Sequence, residues 1–458
     1  MFHMAPRRVA TKFDLLTHLA VSGVTVPGAL RGALGGISPQ TLSRLVADGG
    51  DEVCRIGRGR GTRYARTRSL EGLGHTLPTF RVDAKGQVTP AGPLHLLWGR
   101  QTFWQEPGAD VVFEGLPPAL VDMAPQGFIG RTFPTRNPGL GLPPRIADWS
   151  DDHRLIALAR RGEDCVGDLI VGNESLQRFL ASRPEDVAAG SYPAAAESVT
   201  TAPVGSSAGG ERPKFGAFSR GRHVLVKFAN ATDEAGRRWR DLLWCELRAL
   251  EVVATAGHPA APARCFDSGD WRFLEVERFD RVGERGRRAV LSLSALNNEY
   301  FGGPDSWTAA APLLGKAPFS LSRQDAWHLR WLDVYGQLIA NSDRHFGNVA
   351  FFVSGGGSLS LAPAYDMLPM ELAPANHDVV VRRAFVPEPP SGSTLDVWAD
   401  AAHWARVFWR QVSRNEELSA DVRAYATQAD AAISALASRV TPSPSSSSST
   451  SLPPSSSP

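Results

Sequence analysis

The period of the hydrophobic pattern changes several times along the chain, and its clearest helical stretch lies late. Between Asp325 and Ile339, the residues Trp327, Leu329, Trp331, Leu332, Tyr335, Leu338 and Ile339 recur at helical spacing, which predicts an amphipathic helix with one apolar face. The period stops at Asn341-Ser-Asp-Arg-His-Phe-Gly-Asn348. An unbroken apolar run, Val349-Ala-Phe-Phe-Val353, follows and predicts a buried strand. A Ser-Gly-Gly-Gly turn and a second strand, Ser358 to Leu361, complete a hairpin that leads into Ala362-Pro-Ala-Tyr-Asp366.

Upstream, His223-Val-Leu-Val-Lys-Phe228 predicts a strand with a lysine set among apolar residues. Arg240 to Val253 predicts a helix striped by Leu243, Leu247, Leu250 and Val253. Glu246 lies three residues from Leu243 and four from Leu250, so periodicity places it either on the inward face or at the stripe's edge in water. Inward, it would need a cationic partner, because an unpaired buried carboxylate is costly, and Lys227 is the candidate. Trp271 to Arg281 predicts a strand leaving into an Arg/Asp-rich turn.

Nearer the start, Thr11 to Ala20, Pro27 to Leu34 and Ile37 to Val46 predict three helices. The third has Ser38 at its cap and Pro39 at its first position. Glu52 to Ile56, Gly57-Arg-Gly-Arg-Gly61 and Thr62 to Arg66 predict a basic hairpin. Together they outline a winged helix-turn-helix, in which Gln40, Thr41, Ser43 and Arg44 face the major groove while Arg58, Arg60 and Arg63 reach phosphate or minor groove. The other reading is a small helical domain whose hairpin mediates contact with a second copy or with its own acidic body. Residues 75–195 show no chemistry: a strand pair within Thr79 to Val88, a helix Arg154 to Arg161, a strand Cys165 to Val171, and a loose connection Pro184 to Ala196.

Composition adds bounds. The 458 residues allow two or three domains, and 43% hydrophobic with 21% charged residues is an ordinary globular balance. The net charge of +2 is unevenly spread. Residues 1–74 hold eleven Lys and Arg against five Asp and Glu, so any polyanion contact belongs at the head. Cys54, Cys165, Cys245 and Cys265 are scattered without C-x-x-C spacing. That argues against a zinc site or disulfide framework and for a reducing cytoplasm. Arg7-Arg8 has no apolar run behind it and no stretch reaches the ~18 apolar residues of a membrane span, so neither secretion nor membrane insertion is expected. The Ser/Pro repeats from 441 onward predict a disordered tail.

The chemistry rests on an ordered set. Phosphoryl transfer from a nucleotide needs an acid to accept the attacking hydroxyl's proton, plus an amide and a carboxylate for Mg²⁺. Asp343 and Asn348 are five positions apart, and Asp366 follows one hairpin later, which is the order of these groups in protein kinases. The small-residue loop Val204 to Phe215 can turn backbone N–H groups toward phosphate, Lys227 and Glu246 follow it, and the strand ending near Arg281 stands where a kinase hinge meets adenine.

Five segments then resemble the HipA family of bacterial serine/threonine kinase toxins of type II toxin–antitoxin systems. They are Ser206-Ser-Ala-Gly-Gly-Glu-Arg-Pro-Lys214, Leu225-Val-Lys-Phe228, Val276-Glu-Arg-Phe-Asp-Arg281, Asn341 to Asn348 and Ala362 to Asp366. The resemblance spans about 75–440, and the head resembles a subgroup with a fused DNA-binding domain. It implies an α+β, two-lobed protein-kinase-like fold divided as 1–74 winged helix-turn-helix, 75–196 N-terminal subdomain and linker, 197–440 kinase core and 441–458 tail.

The resemblance also implies ATP and Mg²⁺ as cofactors. Asp343 would be the catalytic base, Asn348 and Asp366 would hold metal, and Lys227, supported by Glu246, would hold nucleotide phosphates. Ala208, Gly209, Gly210, Glu211, Arg212 and Pro213 would form the loop over the phosphates. Glu277, Arg278 and Phe279 would form the hinge, and His345 would be a nucleotide contact rather than a base. Ser206 matches a serine whose autophosphorylation switches family members off, although Ser207 is an alternative, and Glu211 departs from the usual glutamine. Family members phosphorylate aminoacyl-tRNA synthetases, which makes a protein substrate the expectation, with DNA bound by the head and a homodimer open. Two rivals remain: a DNA-binding regulator whose kinase half is a sensor or dimerisation module, and a small-molecule kinase on the same fold.

Overall fold

The computed structural model describes residues 9–106, 109–201, 213–374 and 384–440, and the chain divides into two units. The first comprises Met1–Lys227, Glu275–Gly302 and Ala350–Gly355. The second comprises Phe228–Leu274, Gly303–Val349 and Gly356–Pro458. Helices and mostly antiparallel sheets alternate, which is the expected α+β class.

The first unit begins with helices Lys12–Ser22, Pro27–Ala33 and Pro39–Gly49. Thr11 and Asp14 close a capping box on the first, and Ser38 accepts the Thr41 N–H (3.1 Å) on the third, so both starts are set by their own sequence. Leu15, Leu19, Leu30, Leu42 and Leu45 meet in one core. The hairpin Val53–Ile56 with Arg63–Arg66 is antiparallel and stitched to the helices by two 2.8 Å bonds between the main chains of Thr25 and Tyr64. Gly57 sits at φ +76°, and a Cβ there would meet the Gly61 carbonyl oxygen at 2.8 Å, so the turn needs glycine. Arg58 and Arg60 are exposed and Arg63 is half-buried.

Next comes a five-stranded sheet in the order Ala109–Glu114, Gln101–Glu106, Val88–Leu96, Thr76–Val82, Leu169–Val171. The Asp83 carboxylate accepts the N–H groups of Lys85 and Gln87 at 2.8 Å each and closes the turn between the strands Thr76–Val82 and Val88–Leu96. The last strand starts at Leu169 rather than Cys165, because the Cys165 and Gly167 carbonyls are taken by Arg281 at 2.7 and 3.2 Å instead of a ladder. The connection Pro184 to Ala196 is not loose. Tyr192 is fully buried, opens a helix Tyr192–Thr201, and donates its hydroxyl to the buried Glu275 carboxylate (2.8 Å), which also accepts from Ser219 (3.2 Å) and Arg220 (2.7 Å). Alanine-rich composition reads as a linker, whereas one anchored tyrosine makes it part of the core.

The second unit is mainly helical: Glu234–Thr255, Trp307–Leu314, Arg323–Leu338, Leu395–Arg414 and Ala420–Val440. Its large aromatics are buried with their polar ends satisfied. Trp331 donates to Asp400 (2.7 Å), Trp409 to the Leu338 carbonyl (2.9 Å) and Tyr335 to the Ala249 carbonyl (3.3 Å). Glu246 is fully buried, which settles the ambiguity of its face. Among the described residues no helix is long and apolar enough to cross a membrane.

One buried group gives this unit a pH dependence. His258 is stacked on Trp331 (3.7 Å between ring centres) and Trp327 (5.1 Å), with its Nδ1 2.8 Å from that of His328. Burial, helped by His328, pushes its pKa down to about 3. The unfolded chain therefore binds a proton near the ordinary pKa of about 6.5, while the folded chain does not. The contribution of neutral His258 is complete above about pH 6.5 and is lost on acidification toward 3, with a limiting slope of about 1.4 kcal/mol per pH unit. Urea unfolding at pH 7.5 and 5 is expected to show a larger loss for the wild type than for His258→Gln, and equal losses would remove this role.

Candidate active site

The site in the second unit is built where the helix Arg323–Leu338 ends. Ile339 caps the helix, and Ala340 takes a left-handed φ of +60°, which throws the chain out of helical continuation. Asn341, only 1% exposed, then serves two segments at once. Its Oδ1 accepts the Asp343 N–H (3.1 Å), and its Nδ2 donates to the Asp366 carbonyl (3.3 Å). From the far end of the loop, buried Asn348 donates its Nδ2 to the Asp343 carbonyl (2.8 Å). The Asp343 main chain is thus held on both sides, while the residue itself is exposed.

The loop's remaining residues brace it. Arg344 pairs with Asp333 (3.2 Å) and also donates to the Asn341 carbonyl, while the second Asp333 oxygen accepts the Thr308 N–H and hydroxyl at 2.9 and 2.8 Å. His345 accepts the Gly347 N–H on Nδ1 (3.0 Å), and its carbonyl accepts from Trp307 (3.3 Å), so its proximal nitrogen is spent on the turn. Tyr365 donates to the Gly347 carbonyl (2.7 Å), and Asp366 follows in a left-handed conformation, φ +52°. An open cleft of about 470 Å³ lies over Asp343 and is lined also by Gln337, His345, Glu371, Phe385 and Glu388.

Glu246 lies in the second unit, and the first holds Lys227 and the hinge residues. Lys227 is 7% exposed and stands directly across the Lys214–Ser219 and Arg222–Asn230 hairpin from Lys214. Register therefore sets a second cationic residue beside Lys227 on the sheet. Lys214 was not singled out in the sequence as a ligand, and only strand register could have shown it. Glu277 pairs with Arg222 (2.6 Å), and Phe279 meets Phe352 edge-on at 5.9 Å. Arg278 is committed elsewhere: its guanidinium goes to Asp164 (2.9 Å) and Asp280 (3.1 Å), its N–H to the His223 carbonyl (2.9 Å), and its carbonyl accepts the Arg281 N–H (3.1 Å). Burial works against the charged form of Asp280, but Arg278 and Arg281 outweigh it and hold the pKa at about 2. Pro213 is half-buried; Ser206, Ala208, Gly209, Gly210, Glu211, Arg212 and the tail from 441 lie outside the described residues.

Comparison with known proteins gives the family and the fold. The HipA-like C-terminal domain matches residues 206–440, just over half of the chain, and the YjjJ-like toxin middle domain matches residues 73–180. Toxin YjjJ of Escherichia coli (strain K12) is 34% identical over 419 residues, covering 88% of this chain and 94% of its own. The chain belongs to the HipA-like toxin family. Its HipA-like fold is shared with HipA of Shewanella oneidensis MR-1, solved in a toxin–antitoxin complex with HipB and operator DNA. That structure aligns with a TM-score of 0.54 over 80% of this chain and 99% of its own, at 16% identity, a likeness of fold alone. The Helicobacter pylori proinflammatory kinase CtkA aligns over 52% of this chain and 93% of its own at 14% identity, with a TM-score of 0.36 too low to carry weight. In this family member, Asn341 ties Asp343 to Asp366, and Asn348 is tied to Asp343 by its own side-chain amide.

Proposed function

We propose that the chain is a kinase-type phosphotransferase that uses ATP with Mg²⁺ to phosphorylate serine or threonine of a protein, as a toxin with its own DNA-binding head. The observation that carries this reading is Asp343, exposed at an open cleft with its main chain clamped by Asn341 and Asn348. ATP with Mg²⁺ supplies the phosphoryl group and neutralises its charge. Asp343 accepts the proton of the acceptor hydroxyl. The Asn348 nitrogen is spent on the Asp343 carbonyl, so its Oδ1 is the atom turned to a cation, and Asp366 supplies the carboxylate. One amide and one carboxylate suit Mg²⁺, which takes hard oxygen donors and few of them from protein. The family resemblance assigns Lys227 to the phosphates and the main chain of Glu277 to Phe279 to the base, and strand register adds Lys214 beside Lys227 as a second phosphate candidate.

Incubating the purified chain with γ-labelled ATP tests this. Mg²⁺-dependent label is expected on protein, including autophosphorylation at Ser206 or Ser207. A phosphate at Ser206 adds about −1.5 to −2 charge where nucleotide phosphates must sit, so it should weaken nucleotide binding. A chain that transfers no label to itself or to any protein of a lysate would reduce the site to a sensor. Label transferred only to small metabolites would favour the small-molecule kinase.

The head, residues 1–74, is proposed to bind duplex DNA. Gln40, Ser43 and Arg44 are exposed on one helix and Arg58 and Arg60 at the hairpin tip, whereas Thr41 is half-buried with its hydroxyl 3.0 Å from that of Ser38, as part of the cap. Replacing Arg58, Arg60 and Arg63 with alanine should weaken binding and lower the log–log salt slope by about 0.9 for each phosphate no longer neutralised. An unchanged slope moves the head to protein contact.

A further inference from the structure

The helix Glu234–Thr255 carries Glu246, and two turns before it a second buried ionic residue that the sequence pattern hides. Arg238 is 5% exposed. Its guanidinium donates to the Leu372 carbonyl (3.0 Å) and to the Asp421 carboxylate. Leu372 ends the short turn Met370–Leu372, which begins four residues past Asp366.

That turn is where several supports of the site meet. The Glu371 N–H donates to the carbonyl of Ala340 (3.1 Å), the left-handed residue immediately before Asn341. Asn341 in turn holds the Asp343 N–H and the Asp366 carbonyl. Glu371 lines the cleft with Asp343, and its carboxylate accepts the Tyr425 hydroxyl (3.0 Å). The same helix also grips the start of Ala420–Val440 through Asp241, which accepts the Ser419 N–H (3.1 Å) and hydroxyl.

We propose that Arg238 is a positioning residue for phosphotransfer: it fixes the turn Met370–Leu372, and through Ala340 and Asn341 the main chains of Asp343 and Asp366. A buried guanidinium cannot be left unpaired, so the turn's carbonyl and Asp421 must stay within its fork. Asp421 thereby makes the first turn of the last helix part of the same clamp. The assignment rests on the phosphotransfer reading, because it places Arg238 behind groups that act in that reaction.

The test uses the full chain with Arg238→Gln, Arg238→Lys, Asp421→Asn and the double variant Arg238→Gln/Asp421→Asn. A misplacement of the loop by an ångström lowers kcat by about a hundredfold. Arg238→Gln is expected to show a loss of that order with KM for the acceptor little changed, Arg238→Lys to recover part of it, and the double variant to be no worse than Arg238→Gln alone. Hydrogen exchange resolved by segment supplies a readout free of activity: in Arg238→Gln, protection should fall at 340–343 and 366–372 while the helix Arg323–Leu338 keeps its own. Wild-type kcat, or a uniform loss of protection across the second unit, would make Arg238 a packing element and overturn the proposal. If the wild type itself transferred no phosphate, the functional reading would fail separately, and the exchange pattern would still decide whether Arg238 holds the loop.

Discussion

Asp343→Ala is expected to lower phosphotransfer by about a thousandfold, within the range of a lost general base, while leaving Mg²⁺–ATP affinity nearly intact. The loop should survive the change, because Asn341 and Asn348 hold the Asp343 main chain rather than its side chain. Melting should therefore move little, and the loss should fall on kcat. Calorimetric titration of ATP with Mg²⁺ beside a single-turnover assay separates binding from chemistry. Wild-type turnover in Asp343→Ala would make the stretch Asn341–Asn348 structural and sink the kinase reading.

Asp366→Asn should fail differently. At φ +52° the residue occupies a region that asparagine tolerates and most side chains do not, so Asn removes the charge while keeping the backbone. Phosphotransfer is expected to fall by at least about a hundredfold, and the gain in ATP affinity on adding Mg²⁺ should largely disappear, because one hard ligand is gone. Asp366→Ala should lose the same function and a further ~1 kcal/mol of stability from strain. If Asp366→Asn kept its Mg²⁺-dependent gain in affinity, the metal would have to be held by other residues.

These two variants probe the part of the molecule that was most legible beforehand. The helix before Asn341, the hairpin after Asn348 and the acid at its end were all marked by local signals: a change of hydrophobic period, a glycine turn and a strand of four residues. Caps behaved likewise. Ser38 with Pro39 and Thr11 with Asp14 start their helices through bonds that span only three residues.

What the sequence by itself determined is therefore the helices and hairpin of the head, the elements that flank Asn341–Asn348, the family resemblance and the order of Lys227, Glu246, Asp343, Asn348 and Asp366, since period, caps and turns act over a few residues and need no partner. Only the tertiary structure decided which polar groups are buried and whom they meet. Tyr192 in an alanine-rich stretch became core by reaching Glu275, 83 positions away. Arg278, read as a hinge contact, was claimed by Asp164, 114 positions away. Lys214 faces Lys227 because of strand register, and Arg238, just ahead of the predicted helix Arg240 to Val253, is buried against a carbonyl 134 positions on. For Tyr192, Arg278 and Arg238 the physical reason is the same. A buried charge or hydroxyl is tolerated only with a partner of suitable geometry, and folding, not local pattern, brings that partner across the chain.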